Sequence, residues 1–99
     1  MQRIPEPELM DDPAQALAYA RADFSAPHDR FVALFTERFG TALNGTLLDL
    51  GCGPGDICRR LARALPHCEI HGIDASPAML ELATADTEED ALSDRIGYH

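Results

Sequence analysis

The chain's tightest constraint is a glycine-rich turn set between an apolar run and an amphipathic stretch. Thr46-Leu47-Leu48-Asp49-Leu50 runs straight into Gly51-Cys52-Gly53-Pro54-Gly55, and from Asp56 onward Ile57, Leu61 and Leu65 recur at every fourth position. A short apolar run ended by glycines reads as a strand, and apolar residues four apart read as one face of a helix. In this reading Arg59, Arg60 and Arg63 face away from the apolar side, and Pro66 closes the helix. A second strand is expected over Cys68–Ile73, ending at Asp74. Ser76-Pro77 then supplies a cap and a first-turn proline for another helix, with Met79, Leu80 and Ala83 on its buried side. Arg95–Tyr98 opens a third strand. Strand and helix alternate as βαβαβ, which calls for an α/β fold with a parallel sheet and right-handed crossovers.

Two helices are expected ahead of this unit. Asp12-Pro13 starts the first, which runs to about Ala22 with Ala16, Leu17 and Ala20 on its apolar side, and Ser25 to Pro27 breaks it. The second runs from about Pro27 to Phe39, with Phe31, Leu34 and Phe35 as its apolar stripe and Gly40 as its stop. Residues 1–12, with Pro5 and Pro7, read as an extended lead-in. The expected organisation is a helical segment over 1–43 and a βαβαβ unit over 44–99.

Charge narrows the functions open to such a unit. Eight arginines and no lysine stand against seventeen acids, a net charge of −9. That balance argues against an electrostatic grip on nucleic acid or anionic lipid from this segment. Six acids and no base between Glu81 and Asp94 read as a solvated helix end and loop. Cys52, Cys58 and Cys68 form no paired spacing, so no disulfide framework is expected, and a reducing, cytoplasmic setting is. His67, Cys68 and His71 match no zinc spacing, and alternation along a strand sends neighbours to opposite faces. No apolar stretch approaches the length of a membrane span, and the start MQRIPEPELM lacks the apolar core of a signal peptide.

In an open parallel sheet, ligands sit beyond the C-terminal ends of the strands, at the first strand-to-helix turn. A nicotinamide dinucleotide would want a glycine where Asp56 stands, and Asp49 and Asp56 would both oppose its pyrophosphate. A cationic ligand is better served, because Asp49 can accept from an ammonium and Asp56 stabilises a helix start. Asp74, 23 positions after Gly51 at the end of the second strand, can accept from two ribose hydroxyls. Helix capping is its plainer role.

LLDLGCGPG followed by HGIDASPAML resembles motif I and the next motif of the class I S-adenosylmethionine-dependent methyltransferases, over about residues 46–83. The resemblance implies a three-layer Rossmann-like parallel sheet, of which this chain carries the N-terminal βαβαβ half. It implies S-adenosyl-L-methionine as cofactor, S-adenosyl-L-homocysteine as product, and SN2 methyl transfer to an oxygen, nitrogen, carbon or sulfur of an acceptor the residues do not name. Asp49 would help hold the methionine portion, and Gly51, Gly53 and Gly55 would line the cofactor, with Cys52 a small buried residue among them. Asp74 would bind the ribose, and Ala75 would touch adenine. Met79 would add apolar cover, with core packing its equal alternative. Tyr19, Arg21 and His28 are candidates on the covering helices, reaching the methionine carboxylate. No catalytic residue stands out.

The family's sheet has seven strands, whereas three are expected here. The adenine-reading acid and the fourth strand would lie beyond His99, so the chain reads as truncated, with Leu47–Leu50 left as an apolar edge open to self-association. Two other readings stay open: a non-catalytic cofactor-binding fragment or partner subunit, and a nicotinamide oxidoreductase fragment, disfavoured by Asp49 and Asp56.

Overall fold

A computed structural model describes residues 11–99; the expected lead-in lies outside them over residues 1–10. The elements are α1 (Pro13–Arg21), α2 (Ser25–Phe39), β1 (Gly45–Leu50), α3 (Asp56–Ala64), β2 (Cys68–Ile73), α4 (Pro77–Glu89) and β3 (Ile96–Tyr98). The strands form a parallel sheet in the order β1-β2-β3. Leu50 lies beside Ile73, and Ile70 beside Ile96.

Local chemistry sets the helix starts. Asp12 accepts from the Ala14 N–H at 3.0 Å ahead of Pro13, and Ser76 Oγ accepts from the Met79 N–H at 3.2 Å ahead of Pro77. α2 starts at Ser25, two residues before the expected Pro27, because the Asp23 carboxylate accepts from the Ser25 N–H at 3.0 Å and from its hydroxyl.

The core lies on one face of the sheet. Cys68, Ile70 and Ile96 meet Cys58, Leu61, Ala62 and Leu65, the inner side of α3 and its end. α4 buries Met79, Ala83 and Thr87. The opposite face is open among the described residues: Leu48 is 63% and Leu50 75% exposed, while Leu47 packs against the core. The apolar edge expected over Leu47–Leu50 is therefore divided by strand alternation into an inner and an outer set.

Three sequence expectations give way here. Of the expected stripe on α2, Phe35 packs against the core, but Phe31 and Leu34 are about half exposed and Val32 packs inward in their place. The helix is rotated because ion pairs from its first turns to α3, His28 to Asp56 and Asp29 to Arg60, fix which side faces inward. Arg59 does not face away: it is 9% exposed and donates to the Pro54 carbonyl at 2.8 Å. The acidic run is only partly solvated, because Asp90 pairs with Arg59 at 3.3 Å and with Arg63 at 2.6 Å. Acids on α4 thus neutralise arginines on α3, a pairing between elements that periodicity within one element cannot show.

Candidate functional site

The site grows from the end of β1. Gly51, Gly53 and Gly55 have φ of 75°, 54° and 82°, a left-handed region that disfavours other residues, so the chain turns within five residues from strand into α3. The end of β2 holds this turn in place. The N–H groups of Gly51 and Cys52 both donate to the Ile73 carbonyl, at 2.7 and 3.0 Å. The next N–H, that of Gly53, donates to Asp74 Oδ2 at 2.8 Å, and the other Asp74 oxygen accepts from the Ser76 N–H at 2.9 Å. Asp74 thus ties the glycine turn to the start of α4.

The loop glycines divide into two kinds. A Cβ on Gly51 would meet nothing within 4 Å, and one on Gly53 would come 3.7 Å from the Tyr19 ring, so both open onto free space. A Cβ on Gly55 would lie 2.4 Å from the Tyr98 hydroxyl and 3.1 Å from Ala83. Gly72, on β2, is crowded by the Tyr98 ring and by Cys52 Sγ in the same way. Gly51 and Gly53 therefore face the cavity, whereas Gly55 and Gly72 make room for Tyr98, which the sequence reading did not single out. A lone tyrosine near the end of a strand carries no signal of this in sequence.

The cavity beside Gly51 and Gly53 holds about 380 Å³ and is closed on the far side by Tyr19, Phe24 and His28, with Asp49 on the strand side. That size suits a small organic ligand. Tyr19 and Phe24 pack with ring centroids 5.1 Å apart, and Phe24 stacks on the His28 imidazole at 5.6 Å. Of the residues expected to form the site, Asp49, Gly51, Cys52 and Gly53 line this cavity. Asp74 and Ala75 lie next to it at the end of β2, half-buried and exposed, and Met79 is buried at 4% exposure. Tyr19 and His28 line the cavity as well, while Arg21 does not.

Electrostatics give the cavity its sign. Arg60 is engaged by Asp56 at 2.7 Å and by Asp29, and Arg59 by Asp90 and Asp56. Among the described residues Asp49 forms no ion pair; its Oδ2 accepts from the Cys58 thiol at 3.3 Å. Burial pushes the Asp49 carboxyl above its usual range, the Cys58 bond pulls it back, and the nearby Asp74 charge adds to the rise. A cation placed beside Asp49 would relieve that cost. The hydrogen bond with Cys58 holds the Cys52 thiol below its ordinary range against the effect of burial. The Cys58 thiol is pushed well up, by its bond to Cys52 and by burial, and stays protonated.

Residues 47–99 match the family model described as a methyltransferase domain. The chain belongs to this family. Trans-aconitate 2-methyltransferase of Mycobacterium ulcerans is 38% identical over 74 residues, covering 75% of this chain and 26% of that protein. Among solved structures, one assigned as an S-adenosyl-L-methionine-dependent methyltransferase from Methanococcus maripaludis superposes with a TM-score of 0.79 at 25% identity, covering 97% of this chain and 44% of that one. A methyltransferase from Geobacter sulfurreducens, in complex with S-adenosyl-L-homocysteine, gives a TM-score of 0.58 at 25% identity, covering 69% of this chain and 27% of that one. This methyltransferase-family chain spans between 15% and 26% of the first curated relatives it matches. Its four helices and three-stranded parallel sheet correspond to the N-terminal, Rossmann-like part of the family's fold. The nicotinamide reading is set aside by the family match.

The residues present fit S-adenosylmethionine. That molecule brings an ammonium and a sulfonium, and the cavity offers the half-buried Asp49 carboxylate, which no arginine among the described residues pairs. It also needs close backbone approach, and Gly51 and Gly53 present bare backbone to the cavity. Asp74 spends one hydrogen bond per oxygen on the backbone, and a carboxylate has about four acceptor positions, so a pair of ribose hydroxyls can still be met.

Proposed function

We propose that this chain binds S-adenosyl-L-methionine and forms the cofactor half of a methyltransferase. The reading rests above all on one arrangement: a half-buried Asp49, in no ion pair among the described residues, facing a cavity floored by Gly51 and Gly53. When bound, the cofactor supplies a methyl group on an electron-poor sulfur. The chain's residues bind, orient and exclude water. Asp49 accepts from the methionine ammonium, Gly51, Cys52 and Gly53 lie along the methionine and ribose, and Asp74 accepts from the ribose hydroxyls. Ala75 borders the adenine at the open end of β2. Gly55 and Met79 act from beneath, shaping the loop and the start of α4. In this reading residues 44–99 form the cofactor unit, and α1 and α2, within 1–43, cover it through Tyr19.

Two further points belong to the same proposal. Three free, buried cysteines suit the reducing cytoplasm, and no helix among the described residues is long and apolar enough to cross a membrane. The outer edge of β1, with Leu48 and Leu50 exposed beside it, is suited to pairing with another strand, including that of a second copy.

The deciding experiment is calorimetric titration of the chain with S-adenosylhomocysteine, alongside Asp49→Asn. Saturable binding that falls at least tenfold in the variant supports the reading. A folded chain that binds nothing overturns it, and binding without turnover leaves the non-catalytic alternative.

Proton linkage gives an independent prediction. The carboxyl of Asp49 is raised in the folded chain, so near the lower end of the pH range part of it is protonated, and a bound ammonium requires the ionised form. Affinity should therefore weaken as pH falls, from an onset higher than an ordinary aspartate would give. Titrations in buffers of different ionisation enthalpy should register proton release on binding at acidic pH, and none in Asp49→Asn.

Cys52 offers a further check. Cys52 lines the cavity and its thiol is held below the ordinary range, whereas Cys58 is held protonated and Cys68 donates to the Leu43 carbonyl at 3.2 Å. Iodoacetamide should label Cys52 first, and S-adenosylhomocysteine should slow that labelling several-fold, as read by peptide mass spectrometry.

A further inference from the structure

The cavity contains a pairing that the cofactor does not account for. His28, on α2, places Nδ1 2.6 Å from Asp56 Oδ2, at the N-terminus of α3. Burial pushes the Asp56 carboxyl up, but the hydrogen bonds from His28 and Arg60 outweigh it and hold the group below the usual carboxylate range. Asp56 is therefore an anion and can only accept, so Nδ1 of His28 carries the proton. The helix N-terminus adds to the stability of that anion.

Phe24 covers one face of the imidazole, and Nδ1 is committed to Asp56. The edge that remains to a ring lining the cavity carries Nε2, which in the neutral imidazole is a bare acceptor. The charged and titratable groups around it are Asp56, Arg59 and Arg60 on α3, Asp29 on α2, Asp49 on β1, and Tyr19 and Asp23 from α1 and the link after it. Of these, the arginines are taken up by acids, and Nε2 of His28 is left as an acceptor on this wall.

We propose that His28 takes the proton of the methyl acceptor, with Asp56 as its positioning residue, and that the acceptor is a protic nucleophile: an alcohol, a phenol or an amine. The proposal rests on the methyl-transfer reading of the site. The acceptor's lone pair forms the bond to the methyl carbon as the carbon–sulfur pair returns to sulfur. The acceptor's proton passes to Nε2, which leaves an imidazolium facing the Asp56 carboxylate. An acceptor already ionised, such as a carboxylate, has no proton to hand over and would gain nothing from this arrangement. General-base assistance of this kind is worth about 10²- to 10⁴-fold in rate.

The test needs no acceptor. Chain labelled with ¹⁵N-histidine, with and without saturating S-adenosylhomocysteine, is examined by two-bond ¹H–¹⁵N spectra above neutral pH. The same samples are treated with diethyl pyrocarbonate, and the modified peptides are identified by mass. His28 is expected as the Nδ1–H tautomer in both states, and its Nε2 is expected to react at a rate the ligand changes less than threefold. Asp56→Asn should switch the tautomer and cut the reactivity at least tenfold, while His67, on the surface, serves as the reference. An Nε2–H tautomer in the unsubstituted chain overturns the proposal without recourse to a variant that could disturb α3. More than tenfold protection by the ligand also overturns it, because the ring would then lie against the cofactor and not toward the acceptor. If calorimetry on the same sample shows no S-adenosylhomocysteine binding, it is the methyl-transfer reading that fails, and the proposal falls with it.

Discussion

Gly55→Ala is expected to destabilise the chain by about 2–5 kcal/mol. Two costs combine: a left-handed residue with a side chain costs about 1–2 kcal/mol, and overpacking a filled site costs about 1–3 kcal/mol. Both apply at Gly55, where φ is 82° and the new Cβ would lie 2.4 Å from the Tyr98 hydroxyl. The whole stability of a domain is about 5–15 kcal/mol, so this single methyl could consume a large part of it. Gly51 is the control. Its φ is 75°, but a Cβ there meets nothing within 4 Å, so Gly51→Ala should cost only about 1–2 kcal/mol. Urea melts of the two variants measure the difference, which isolates contact from conformation. Equal losses would mean that Tyr98 yields and that Gly55 is kept for its backbone alone. Trimming the tyrosine in a Gly55→Ala, Tyr98→Phe double variant should recover part of the loss, offset by the Thr87 hydroxyl that now bonds Tyr98 at 2.7 Å.

Asp74→Ala is expected to act on stability and on ligand binding together. The carboxylate accepts two backbone N–H bonds, at 2.8 and 2.9 Å, which position the glycine turn and start α4. A hydrogen bond to a charged group contributes about 1.5–3 kcal/mol, so losing the pair should cost roughly 2–4 kcal/mol after solvent takes part of the load. S-adenosylhomocysteine affinity should fall at least tenfold, from the lost ribose contacts and from a turn no longer held. Asp74→Asn separates the two effects. One amide oxygen can still accept from a backbone N–H, but the amide NH2 opposes the other, so about half the stability should return while affinity stays low. Thermal melts and calorimetry on both variants provide the measurement. Affinity unchanged in a folded Asp74→Ala would confine this aspartate to its clamping role.

The order of elements was legible because each carries its own signal. Caps at Asp12-Pro13 and Ser76-Pro77, four-residue spacing across Ile57, Leu61 and Leu65, and the glycines after Leu50 are local, and the structure places α1, α3, α4 and the strands where they point. The turn was legible as a ligand site for the same reason. What periodicity misjudged was the inner face of α2. Phe31 and Leu34 looked as apolar as Val32, which shares the inner side with Phe35, and only partners on α3 could break the tie. Arg59 was misread for a related reason: besides Asp56 in its own helix, its acids Asp86 and Asp90 lie about thirty residues away, on α4 and at its C-terminal end.

By itself, then, the sequence determined a parallel βαβαβ unit, a glycine turn between an acid at the end of one strand and an acid at the end of the next, and the likeness to one methyltransferase family. These follow from short-range rules: side-chain period, capping, and the freedom of glycine at positive φ. The tertiary structure decided which glycines face the cavity and which face Tyr98, that Asp74 holds the turn, and that Asp49 forms no ion pair among the described residues. It also brought His28 to Asp56 across 28 positions of chain. The physical reason is common to all of these. Each depends on the distance between groups on different elements, and that distance is fixed only when helices and sheet pack together.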